Sequence, residues 1–143
     1  MILKLLISLS LVAVALVFAA NDAFAEIAII ANLKGSCKKL MLEEVQQLYL
    51  AKTRSCSSQV VKLVEPDSAS AVRMEFLAKV IGKNATEYRA YWSVLIFTGR
   101  ARPPHEVRGD TEVKAWVTYN EAAIGYIDAS SVDNSVQVIG TIK

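Results

Sequence analysis

The sequence predicts an α/β domain with a mainly parallel sheet flanked by helices. Short, nearly continuous aliphatic runs at 26–31 ("EIAIIA") and 60–64 ("VVKLV") bracket a segment with helical spacing, and two further strand-like runs follow a helical middle. Runs that are apolar at almost every position suit strands buried on both faces. The order of strand, helix, strand, several helices and two closing strands is that of a sheet layered with helices.

Residues 1–25 stand apart from this pattern. "MILKLLISLSLVAVALVFAANDAFA" carries Lys4 near its start, an uncharged run from Leu5 to Ala20 and Ala23-Phe24-Ala25 at its end. That is the form of a secretory signal peptide with an A-x-A cleavage site, and the run is shorter than the roughly 20 residues a bilayer span needs. We therefore expect a periplasmic protein with one domain over 26–143. Setting residues 1–25 aside removes Lys4 and Asp22 and leaves the net charge at +2. So small a charge gives no reason to expect nucleic acid or a membrane surface as partner.

Between the first two runs, "LEEVQQLYLAK" (42–52) places Leu42, Val45, Leu48 and Tyr49 on one helical face, which makes the opening a right-handed βαβ unit by default. After Pro66, the spacing of Val72, Phe76, Leu77, Val80 and Ile81 predicts a helix ending at Gly82. The next begins at once, with Asn84 and Glu87 in a capping-box arrangement and Tyr88, Tyr91, Trp92, Leu95 and Ile96 as its apolar stripe. A cap explains Asn84 better than the sequon "NAT" does. "GRARPPHEVRGD" (99–110) reads as a basic loop, and Asp110 caps a short helix with Val113, Trp116 and Val117. The last strands are 122–128 and 136–140, where Gly125 marks a close backbone approach. The aromatic residues fall at core spacing rather than forming a stacking platform, and His105 reads as a surface residue.

Cys37 and Cys56 are the only cysteines. Export permits a bridge between them, while the intervening helix, whose ends lie roughly 16 Å apart, opposes one, because a disulfide needs Cα atoms within about 7 Å. The spacing leaves the question open.

The stretch "PDSASAVRMEF" (66–76) carries the candidate site. It joins the second strand to a helix, and in α/β sheets ligands bind beyond the carboxyl ends of strands. First-turn N–H groups and the helix dipole favour an oxyanion there, with Ser68 and Ser70 as hydroxyl donors and Arg73 as a charged fork. The plainer alternative is that Asp67 or Ser68 only caps the helix and Arg73 lies on a solvated face.

The segments "IAIIAN", "LEEVQQLYLAK", "VVKLVEPDSASAVRMEFLAKVIG", "YRAYWSVLIFTGR" and "AAIGYID" together resemble short exported relatives of the phosphate-binding proteins of ABC importers. "SASAVRMEF" is similar to that family's Ser-Gly-Thr-x-x-Arg-x-x-Phe segment, with Ala69 where the family has glycine and Ser70 where it has threonine. The resemblance covers about 26–138. It implies a three-layer, single-lobe periplasmic-binding-protein-like fold and phosphate or a similar oxyanion bound at Ser68, Ser70 and Arg73 for ABC-type uptake or sensing. Gly35 and Ser36, in "ANLKGSCKK", stand where the family offers its first glycine-rich anion loop, and Asp67 facing the site would select protonated phosphate over sulfate. The expected partners are the anion and an ABC permease or membrane sensor, and two one-lobe chains could face each other as a homodimer. The alternative is a ligand-free module of the same fold that docks through the basic loop from Arg100 to Arg108. We expect no enzyme, cofactor or metal site, because one histidine cannot complete a catalytic or ligand set and no Walker-type loop occurs.

Overall fold

The computed structural model describes residues 25–143, so the expected export signal, apart from Ala25, lies outside the described residues. The chain forms β1 (Ile27–Ala31), α1 (Leu42–Tyr49), a small hairpin of β2 (Ser55–Cys56) and β3 (Gln59–Val60), and β4 (Lys62–Pro66). Then come α2 (Ala71–Phe76), running into a π-turn at Leu77–Ile81, and α3 (Ala85–Phe97). β5 (His105–Val107), α4 (Gly109–Tyr119), β6 (Ala123–Asp128) and β7 (Gln137–Ile142) complete it. The main sheet has the order β5-β4-β6-β1-β7.

Four of its five strands run in one direction, with β4 parallel to both β5 and β6, while β1 runs against its neighbours β6 and β7. The expected βαβ unit is therefore corrected: β1 and β4 are neither adjacent nor parallel. The run "IAIIA" is buried along its whole length because it sits between two strands and two faces of helices. Continuous apolarity reports that burial and carries no information on direction. A second correction concerns 99–110, where "HEV" forms the edge strand β5 beside Val64–Pro66. His105 is exposed, as expected, and stacks on the ring of Trp116 at 5.3 Å.

Two cores make the three layers. On one face α1, α2, its π-turn and α3 bury Tyr49, Phe76, Tyr88 and Trp92 against β1 and β6. Phe76 stacks on Tyr126 at 3.8 Å, with Tyr49 edge-on at 4.9 Å from Phe76. On the other face α4 buries Val113 and Val117 against Ala28, Ile30 and Val64. Asn84 caps α3 by accepting the Glu87 N–H at 2.9 Å. Gly82 ends the π-turn in the left-handed region at φ 70°, where a side chain would be strained.

Gly125 lies where β6 meets α4. A Cβ there would come within 2.7 Å of Val64 Cγ1 and 2.8 Å of Val113 Cγ1. Gly125→Ala should destabilise the domain by about 2 kcal/mol through overpacking, measured by urea unfolding. Shortening the obstructing branch with Val113→Ala in the same chain should recover part of that loss.

Cys37 and Cys56 are joined by a disulfide with Cα atoms 5.4 Å apart. The chain reverses after α1 at Ala51, whose φ is 56°, and the β2–β3 hairpin returns Cys56 to the start of the helix.

Candidate functional site

The carboxyl ends of β4, β5 and β6 lie at one end of the sheet, and the β4–α2 connection crosses it. Asp67 opens that connection: its N–H donates to the Val107 carbonyl at 2.8 Å, and its Oδ1 accepts from Ala69 N at 3.2 Å. Asp67 thus shapes its own turn. Ser70 is the N-cap of α2, with Oγ accepting the Arg73 N–H at 3.3 Å, and Ser68 is exposed one residue past Asp67. The hydroxyls of Ser68 and Ser70, beside the first turn of α2, make up the candidate seat for a hydrogen-bond acceptor, with the Arg73 N–H already given to Ser70 Oγ.

Arg73 does not lie on a solvated face. Its Nη1 donates to the Pro66 carbonyl at 3.0 Å and contacts Glu106 Oε1 at 2.5 Å and Glu65 Oε1 at 3.3 Å, while its guanidinium sits 5.6 Å from the centre of the Tyr88 ring. Its Nε is buried without a hydrogen-bond partner. The plain expectation of a solvated face is replaced by an internal clamp that engages Nη1 of the guanidinium.

Glu65, which follows the aliphatic run 60–64, is the buried penultimate residue of β4, 2 % exposed, and its Oε2 accepts from the hydroxyls of Tyr88 and Tyr126 at 3.3 Å each. Burial pushes the Glu65 carboxyl up to about 7, against the pull of Arg73. Burial and this carboxylate in turn push the Tyr49, Tyr88 and Tyr126 hydroxyls upward, so they remain protonated donors. The signal available in the sequence was a carboxylate directly following an apolar run, where a buried charge demands a partner.

The structure does not bring Gly35 and Ser36 to this place. β1 is antiparallel to β6, so its carboxyl end at Ala31 pairs with Ile124, beside Leu63 at the amino end of β4. The loop carrying Gly35 and Ser36 therefore lies at the opposite end of the sheet from Ser68 and Ser70. There Gly35 packs beneath the Asn32 and Glu121 carbonyls, and Ser36 N donates to Gln59 Oε1 at 3.2 Å.

One lobe of a three-layer sheet, with polar groups beyond its strand ends, defines the chain as a periplasmic-binding-protein-like module. Solved structures give that class a particular form. A Clostridium perfringens protein described as a phosphate ABC transporter substrate-binding protein, with bound phosphate, matches with a TM-score of 0.64 at 25% identity, over 80% of this chain and 45% of that one. An ABC-type phosphate transport receptor from Vibrio cholerae matches at 0.63 and 21% identity, over 80% and 46%. PstS from Borrelia burgdorferi matches at 0.60 and 14%, over 80% and 47%. The chain thus has the fold of phosphate-transporter substrate-binding proteins and spans a little under half the length of each of these three. It matches no protein-family model and no curated protein sequence. Among the described residues no helix is long and apolar enough to cross a membrane.

Proposed function

We propose that the chain is an exported, non-catalytic solute-binding module that takes phosphate or a similar oxyanion at the start of α2, for ABC-type uptake or sensing in the periplasm. The observation that carries this reading is the pair of hydroxyls, Ser68 and Ser70, beside first-turn N–H groups at the carboxyl end of β4. The likeness in fold to a protein solved with bound phosphate supports it. The clamp on Arg73 sets the strength. With Glu65 and Glu106 already neutralising that guanidinium, the anion is held by neutral donors, so binding is weak and favours the doubly protonated monoanion of phosphate, which presents less charge to Glu106 than the dianion or sulfate does.

Thermal unfolding of residues 26–143 tests this. Phosphate at ten times its dissociation constant adds about 1.4 kcal/mol, a rise of roughly 5 °C in midpoint, and sulfate at matched ionic strength should give less. Ser68→Ala should remove the rise without altering the ligand-free midpoint. A rise that is equal with sulfate and survives Ser68→Ala would overturn the reading. A second reading, a ligand-free lobe that docks on a transporter, sensor or secreted partner, is favoured by the pairing of Arg73 with two carboxylates and predicts no rise at all.

A further inference from the structure

At the opposite end of the sheet from the seat, the structure holds an open groove of about 930 Å³. That is near the top of the roughly 300–1,000 Å³ range of small-molecule pockets. Its floor is apolar: Leu48 from α1, Leu63 from β4 and Trp92 from α3. Its walls are Val60 on the β2–β3 hairpin, Ile96 near the end of α3 and Pro104 before β5. These are not ordinary surface positions. Val60 is 70% and Ile96 52% exposed, and Phe97, next in the chain, is 93% exposed. Two exposed aliphatic side chains on the groove's walls, with exposed Phe97 beside it in the chain, mark an interaction site.

The charge around it has one sign. Arg54, Lys62, Arg100 and Arg102 line the groove, and among the described lining residues there is no Asp or Glu. No described carboxylate forms an ion pair with any of these four cations. From this complementarity we infer that the groove docks an extended segment of a partner protein carrying apolar and acidic side chains. The apolar residues would fill the floor and the carboxylates would meet the rim, an arrangement that gives specificity and fast association. Two copies set groove to groove would bring like charges together, and the concavity suits an inserted segment better than a flat lipid surface.

Fluorescence polarisation with a labelled peptide alternating leucine and aspartate tests the assignment, with leucine–lysine and glycine–aspartate peptides as controls. We expect saturable binding of the first peptide alone, weakened by salt. Val60→Asp should lower its affinity about tenfold while leaving the thermal midpoint unchanged, and Arg100→Glu with Arg102→Glu should transfer the preference to the leucine–lysine peptide. Equal binding of the acidic and basic peptides, or indifference to Val60→Asp, would overturn the proposal. So would binding to anionic phosphatidylglycerol vesicles in place of the peptide, or a dimer that Val60→Asp dissolves. Phosphate should leave peptide affinity unchanged, since the seat and the groove occupy opposite ends of the sheet.

Discussion

Replacing Arg73 by alanine is expected to cost about 3 kcal/mol of stability near pH 8 and about 1 kcal/mol near pH 5. At the higher pH Glu65 is ionised and buried, and removing its paired cation leaves a charge held by two tyrosine hydroxyls, the case in which breaking a buried pair is most damaging. Glu106 is half exposed and adds little to that cost. At the lower pH the Glu65 carboxyl carries a proton, so the lost partner matters less. The unaltered chain obeys the same linkage. A carboxyl at about 7 in the folded state and about 4.3 unfolded holds its proton more tightly when folded. Its contribution is therefore fully present below about pH 4.3 and is lost as pH rises through about 7, a fall on the order of 3 kcal/mol. Urea unfolding at the two pH values checks both statements, and Glu65→Gln should flatten the pH dependence. An equal cost of Arg73→Ala at both pH values would refute the clamp.

Reducing the Cys37–Cys56 bridge, or replacing both residues by serine, is expected to cost about 3 kcal/mol and lower the thermal midpoint by roughly 10 °C. The bridge closes a loop with a sequence separation of 19, and constraining a loop of that size in the unfolded chain stabilises the native state by about this amount. Calorimetry with and without a thiol reductant measures it. The loss should be accompanied by weaker peptide binding, because the hairpin tethered by Cys56 supplies Val60 to the groove wall.

Most elements were legible in the sequence because each rests on local information: helical spacing in 42–49 and 85–97, aliphatic runs in β1, β4 and β6, and Asn84 as a cap. What sequence could not supply was direction and distant company. β1 is apolar throughout whichever way it runs, and its reversal alone sends Gly35 and Ser36 away from Ser68. β5 is three residues long behind two prolines, too short to register as a strand. The position of Ser68 and Ser70 beyond a strand end was legible from Pro66 onward. The fate of Arg73 was not, since Glu106 reaches it from 33 residues away. The disulfide stayed open because the length of α1 argued against it, and only the reversal at Ala51 removes that objection.

The place of β1 also bears on how the chain acquires its fold. This first strand is flanked by the last two, β6 and β7, with partners about 100 residues distant, as in Ile27 with Asp128. A chain that lacks β6 and β7 cannot complete this sheet, because β1 then has no neighbours. Such long loop closure raises the contact order and slows folding. The sheet therefore closes late, once β6 and β7 are both free to pair with β1.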